Sequence, residues 1–148
     1  MDSQNFGAAT SGVFSGLNPN STYKMEYSLI QEVLAGGLYI QFNGDNSFAP
    51  GYTYFITGSA PTSGVALDKI RLQSVPNSVG ESTIGHFTFA TQAVGPANPV
   101  VNGQGTFRNG IESSTVAARY HLVGGITSVE VYIDGGTFSG RMRLLELV

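Results

Sequence analysis

The stretch TYKMEYSL, which runs from Thr22 to Leu29, decides the fold class of this chain. Its apolar and polar residues alternate one by one, and this period of two is typical of a β-strand that is buried on one face. After Leu29 the apolar residues fall out of phase, so we expect a bulge or a short helical turn before Gly36 and Gly37. The regular structure of the chain is therefore predicted to begin with a strand at Thr22.

Short strands of the same kind follow to the C-terminus, separated by clusters of Gly, Asn, Asp and Pro that form turns. No long stretch has helical periodicity with capping residues. We therefore predict an all-β domain, an antiparallel jelly-roll β-sandwich of about eight strands. The further strands are predicted at Leu38–Phe42, Tyr52–Thr57, Leu67–Val75, Ser82–Ala90, Gly105–Phe107, Ser114–Leu122, Ile126–Ile133 and Arg141–Val148.

The first 21 residues have a different composition. Gly, Ala, Ser and Asn surround four isolated apolar residues, which are Phe6, Val13, Phe14 and Leu17. We predict an extended N-terminal arm over residues 1–21 and a sandwich domain over residues 22–148. The arm is expected to be held by its own domain or by a neighbouring chain, and its four apolar residues are the predicted interface.

The composition limits the partners of the chain. Its 148 residues suit a single domain, and only 11% of them are charged, against about 25% in ordinary soluble domains. With seven Lys and Arg and a net charge of −3, we expect no nucleic-acid partner. There is no Cys for a disulfide or a thiolate zinc site, and we predict neither a membrane span nor a signal peptide, so synthesis in a cytoplasm is expected.

No set of residues in the sequence has the spacing of a catalytic site. His86 and His121 are each alone in a predicted strand, and the ten acidic residues are dispersed. Arg141 and Arg143 lie two apart, so they share one strand face, which we interpret as solvated. We predict no catalytic residue and no cofactor.

The segment from Asn43 to Ser47 has oxygen ligands like those of a calcium loop, but it lacks the length and the terminal Glu of an EF-hand, so a turn is favoured over a metal site. Three aromatic residues flank this turn, Tyr39, Phe48 and Tyr52. We predict them as an exposed aromatic contact, whereas most other aromatic residues are in phase with core positions.

Two parts of the sequence resemble the jelly-roll modules of tailed-bacteriophage virion proteins. The first is LYIQFNGD at residues 38–45, followed by the Tyr-rich strand at residue 52. The second is the closing run that comprises GITSVEVY from Gly125, GTFSGR from Gly136 and LLEL from Leu144. The resemblance extends over about residues 25–148 and implies a virion structural protein, usually a homotrimer, without catalytic residues.

Three functions are compatible with this resemblance. The chain begins at Met1 and has no fibre shaft, which favours a capsid decoration or cement protein that binds the major capsid protein on the surface of the head. The alternative is a tail fibre or spike module that binds host surface glycans or other virion proteins. A polysaccharide hydrolase would need two carboxylates that face each other across a cleft.

Overall fold

The computed structural model describes the chain in residues 2–33, 37–46, 52–57, 62–72, 79–91, 100–107, 113–120 and 125–147. The regular elements in these ranges are all β-strands, and no helix there is long and apolar enough to cross a membrane. The strands are β1 (Asp2–Ala9), β2 (Ser11–Ser15), β3 (Thr22–Val33), β4 (Leu38–Phe42), β5 (Tyr52–Thr57), β6 (Thr62–Leu67), β7 (Ile70–Arg71), β8 (Ser82–Ala90), β9 (Val100–Phe107), β10 (Ser113–Tyr120), β11 (Ser128–Ile133) and β12 (Thr137–Leu147).

These strands form two antiparallel sheets that pack as a jelly-roll sandwich. The larger sheet has the order β1-β12-β3-β8-β9-β10-β5-β6, and the smaller sheet has the order β2-β11-β4-β7. Neighbours in the larger sheet are mostly distant in sequence, as in β12, β3 and β8. Residues from the two ends of the chain and from its middle therefore meet at the centre of one sheet.

The core lies between the two sheets and is rich in aromatic side chains. Phe42 of the smaller sheet contacts Phe89 and Tyr120 of the larger sheet, with ring centroids 5.1 and 5.7 Å apart. Tyr120 in turn stacks on Tyr52 at 4.8 Å. Large apolar residues on the inner face, such as Met25 in β3, are fully buried. This burial stabilises the sandwich without any disulfide, because the chain has no Cys.

The predicted fold class is confirmed, and so are several strands. β4, β5 and β8 have the predicted bounds, whereas about eight strands were expected and the described ranges contain twelve. The segment predicted as one strand from Leu67 to Val75 instead includes the end of β6 and the two-residue β7. The prediction of a bulge after Leu29 is also confirmed, because the pairing of β3 with β12 shifts by one residue at Glu32.

The apolar pattern after Leu29 breaks because two residues depart from the usual polarity. Ile30 is exposed and Gln31 is buried, so the strand keeps its alternation of faces although the residue types do not. β3 accordingly continues without a helical turn to Val33. The break in the sequence pattern at Ile30 and Gln31 therefore comes from residue type, and the backbone bulge at Glu32 follows it.

The residues predicted as an N-terminal arm form the two strands β1 and β2, which pair within the chain's own sheets. β1 pairs with β12 at the edge of the larger sheet, and β2 pairs with β11 at the edge of the smaller sheet. The chain passes from one sheet to the other at Thr10. The segment was expected to be held either by its own domain or by a neighbouring chain. In this structure its own domain holds it.

Candidate functional site

A cleft lies on the outer face of the larger sheet, over the three neighbouring strands β12, β3 and β8. Its volume is about 530 Å³, which is within the range of about 300–1,000 Å³ that is usual for small-ligand sites. Two rows of paired residues cross these strands. The first row is Arg143, Glu26 and His86, and the second is Arg141, Ser28 and Ile84.

The antiparallel register explains why these side chains meet. Residues that face each other in neighbouring strands point to the same side of a sheet. Met25 and Tyr27 of β3 and Met142 of β12 point into the core, so the alternate residues point outward. The shared face of Arg141 and Arg143, which was predicted from the sequence, is confirmed.

Glu26 is the centre of a small charge network. Its Oε1 lies 2.8 Å from Lys24 Nζ, and its Oε2 accepts a hydrogen bond of 2.6 Å from Arg143 Nε. The hydrogen bond from Lys24, followed by that from Arg143, lowers the pKa of the Glu26 carboxyl below its ordinary value. Glu26 is therefore ionised at neutral pH and holds the Arg143 guanidinium over the sheet.

Three polar side chains of the cleft are available to a ligand. Within the described ranges, no ion pair or side-chain hydrogen bond engages the Arg141 guanidinium, the Ser28 hydroxyl or the His86 imidazole. Ile84 is 54% exposed and adds an apolar surface beside them. The cleft thus combines hydrogen-bonding groups with one aliphatic contact.

The described lining of the cleft has few carboxylate and metal-ligating groups. The described residues that line the cleft include one carboxylate, Glu26, and both of its oxygens have cationic partners. No cluster of three or more metal-ligating side chains is present in the described part of the chain. His121, the second histidine of the sequence, lies outside the described residues.

The Asn43 segment is a turn whose side chain holds a neighbouring loop. Asn43 and Gly44 have φ values of 56° and 65°, and Asp45 N donates to Phe42 O at 2.9 Å. The Asn43 Oδ1 accepts hydrogen bonds from Thr127 N and Ser128 N at 2.7 and 3.2 Å. This oxygen stabilises the loop before β11, which is a structural role.

Of the three aromatic residues predicted as an exposed contact, the two in the described ranges are buried or half-buried. Tyr52 is fully buried, and its hydroxyl bonds to Phe42 N at 2.9 Å and to Asp45 O at 3.0 Å, so its prediction as an exposed residue was wrong. Tyr39 is half-buried, stacks on Tyr132 at 5.8 Å and has Lys69 Nζ over its ring. Phe48 lies outside the described residues.

The four predicted interface residues divide between the core and the surface. Phe14 and Leu17 are buried in the chain's own core, so neither is available to anchor a neighbouring subunit. Phe6 is half-buried and makes an edge contact with Phe138 at 5.3 Å. Val13, which is 48% exposed, is the member of the set that faces solvent.

The cleft residues were interpreted from the sequence as a solvated strand face or as incidental. The spacing of Arg141 and Arg143 was sufficient to place both on one strand face, and His86 was recognised only as a lone histidine in a strand. The sequence pattern carried no information on which strands are neighbours, because β3, β8 and β12 are far apart in sequence. The signal that sequence reasoning lacked was strand order.

Comparisons with known proteins find no matching family model and no curated protein that matches significantly. Among solved structures, the chain is similar to the galectin LEC-6 of Caenorhabditis elegans, with 12% identity over 95% of this chain and 93% of that chain and a TM-score of 0.45. It is also similar to a toad ovary galectin in complex with thio-digalactose, with 15% identity over 93% of this chain and 100% of that chain and a TM-score of 0.42. Neither the family nor the ligand of this chain follows from likenesses at this level.

Proposed function

We propose that the chain is a non-catalytic carbohydrate-binding module that holds a glycan on the outer face of its larger sheet. The observation that carries the proposal is the cleft over β12, β3 and β8. It is large enough for a sugar unit and open along the sheet, so a longer glycan can extend beyond it.

The chemistry of the cleft suits a sugar. Arg141, His86 and Ser28 supply donors and acceptors for hydroxyl groups, and these three side chains have no competing partners in the described structure. The exposed Ile84 side chain matches the C–H face of a sugar ring. Hydrolysis is not proposed, because a glycosidase needs two carboxyl groups about 5 to 9.5 Å apart, and the described lining residues provide one.

The resemblance to virion jelly-roll modules supplies a biological setting for this proposal. A phage fibre or spike attaches to its host by binding surface glycans. In that setting the chain is a receptor-binding component of the virion, and the cleft is the surface that meets the cell.

A glycan array that spans neutral and acidic sugars tests the proposal with a cleft-filling variant and a matched control. Ser28→Trp places an indole in the centre of the cleft, and Ser15→Trp places the same side chain on an exposed position of β2 in the other sheet. We expect wild type and Ser15→Trp to bind the same glycans and Ser28→Trp to lose them. Equal binding by all three proteins, or no binding by wild type, would overturn the proposal.

Capsid decoration is a second candidate, supported by a different observation. β1 and β2 are edge strands in the described part of the chain, so each has a paired strand on one side only, although Gln4 Nε2 donates to Val13 O at 2.7 Å, and the Val13 side chain is exposed. Such edges suit attachment to the major capsid protein and assembly into a homotrimer. Binding to undecorated expanded heads at fixed stoichiometry, abolished by Val13→Asp and unchanged by Ser28→Trp, would establish this function in place of glycan binding.

A further inference from the structure

We infer that the ligand of the cleft is an acidic glycan, whose carboxylate or sulfate group is bound by Arg141. This inference rests on the proposed carbohydrate-binding function and specifies its ligand class. It concerns the same cleft over β12, β3 and β8, and it follows from the distribution of charge around the cleft.

The charge of the cleft is opposite to the charge of the whole chain. The chain has a net charge of −3 and seven Lys and Arg residues in total. Three of these seven, Lys24, Arg141 and Arg143, lie together on the outer face of β3 and β12. Among the described residues that line the cleft, Glu26 is the one carboxylate, and the other carboxylate of β3, Glu32, is exposed further along the strand and accepts a hydrogen bond from the Ser139 hydroxyl. The cleft lining therefore carries more positive than negative charge and attracts anions, although the protein as a whole repels them.

The two arginines of the cleft have different roles. Arg143 is held by Glu26, with its Nη2 2.5 Å from the Oε2 oxygen. Arg141 faces Asn5 of β1 on one side and Ser28 of β3 on the other, and neither residue is charged. Its guanidinium therefore has its planar set of donors open to a ligand, and such a set matches the two oxygens of a carboxylate or a sulfate.

The position of Arg141 also makes the anion contact part of a sugar site. Ser28 lies beside it on β3, and Ile84 lies beside Ser28 on β8. A sugar ring over Ile84 and Ser28 can thus direct an acidic substituent toward Arg141. A nucleic acid is the less favourable occupant, because so few cations can neutralise only a short run of phosphates.

Paired polysaccharides that differ only in charge test the inference. The first pair is polygalacturonate and its methyl ester, and the second pair is dextran sulfate and dextran. Single-stranded DNA serves as a phosphate-bearing competitor. Binding is measured by titration calorimetry for wild type, Arg141→Gln, Arg119→Gln and Ser28→Trp. Arg119 is the matched control, because it is exposed on β10, on the same face of the same sheet but outside the cleft lining.

We expect wild type to bind the charged member of at least one pair about tenfold or more tightly than its neutral partner. Arg141→Gln should remove this preference, with about a tenfold or larger loss of affinity, whereas Arg119→Gln should change affinity by less than about twofold. The pair that shows the preference identifies the anion as a carboxylate or a sulfate.

Other outcomes separate the failure of this inference from the failure of the proposed function. If neutral and charged polymers bind equally and Arg141→Gln matches wild type, while Ser28→Trp abolishes binding, the ligand is a neutral glycan and the inference is wrong. If DNA displaces the polysaccharides and binds more tightly than they do, the site recognises phosphate and both proposals are wrong. If no polymer binds, or if the two Arg variants lose affinity equally, both proposals are also wrong.

Discussion

The geometry of the cleft depends closely on the backbone conformation of one residue, Gly140. Its φ is +129°, in a region that residues with a side chain rarely adopt. A Cβ at this position would overlap the backbone oxygen of Ser28. Since Arg141 follows Gly140, this close approach of β12 to β3 is also what places Arg141 beside Ser28.

Replacing Gly140 by Ala is expected to destabilise the protein by about 2 kcal/mol or more, because it adds both backbone strain and a steric clash. Gly7→Ala is the control, since a Cβ there would meet nothing within 4 Å, and it should change stability by less than about 0.5 kcal/mol. Urea unfolding midpoints measure both effects. Equal midpoints for the two variants would show that β12 can shift away from β3 at no cost.

At the scale of the element, substitutions in β2 test whether the N-terminal segment is part of the folded domain. Phe14 and Val13 are neighbours on β2, but Phe14 is 1% exposed and Val13 is 48% exposed. Phe14→Ala should lower the free energy of unfolding by about 3–5 kcal/mol through the lost burial and the cavity. Val13→Ala should change it by no more than about 0.5 kcal/mol.

The comparison of these two variants by thermal or chemical unfolding distinguishes a structural strand from a free arm. If Phe14→Ala were as stable as Val13→Ala, β2 would not be part of the folded domain in solution. The same burial means that deletion of the whole N-terminal segment would remove core residues. Single substitutions at Val13 are therefore the better probe of attachment to a partner.

The strands that could be predicted from sequence are those whose own residues alternate in polarity. β4 and β8 were located with the correct bounds, because turn-forming residues flank them and aromatic or branched residues mark their inner face. β1 and β2 could not be found in this way, since Gly, Ala, Ser and Asn have weak strand preference. Their strand conformation is instead stabilised by pairing of β1 with β12 and of β2 with β11.

The cleft required information of a different kind. The sequence placed Arg141 and Arg143 on one strand face, but the assembly of the cleft depends on β3 lying between β12 and β8. Strand order in a sandwich is set by long-range packing rather than by local pattern. The same limit explains the wrong prediction for Tyr52, because only the folded chain brings the hydroxyl of that residue to the turn after β4.

At the scale of the whole molecule, the core depends on aromatic residues that have polar groups. Tyr27, Tyr52 and Tyr120 are all buried between the sheets, and burial raises the pKa of each phenol above the ordinary value of 10.0. These tyrosines are therefore neutral in the folded protein at pH values where an unfolded chain already loses their protons. The stability of the sandwich is thereby linked to alkaline pH.

The sign of this linkage follows from proton counting. Below pH 10 the folded and unfolded chains both keep the phenol protons, so stability does not depend on these groups. Above pH 10 the unfolded chain binds fewer protons than the folded chain, so stability falls by about 1.4 kcal/mol per pH unit for each buried tyrosine. We expect the free energy of unfolding, measured by urea titration at increasing pH, to decline steeply above pH 10, together with a delayed rise in tyrosinate absorbance.

Tyr27→Phe removes one of these protons and should make the decline shallower. A decline of equal slope in wild type and Tyr27→Phe would mean that Tyr27 already titrates in the folded protein, and hence that water reaches the core between β3 and the smaller sheet.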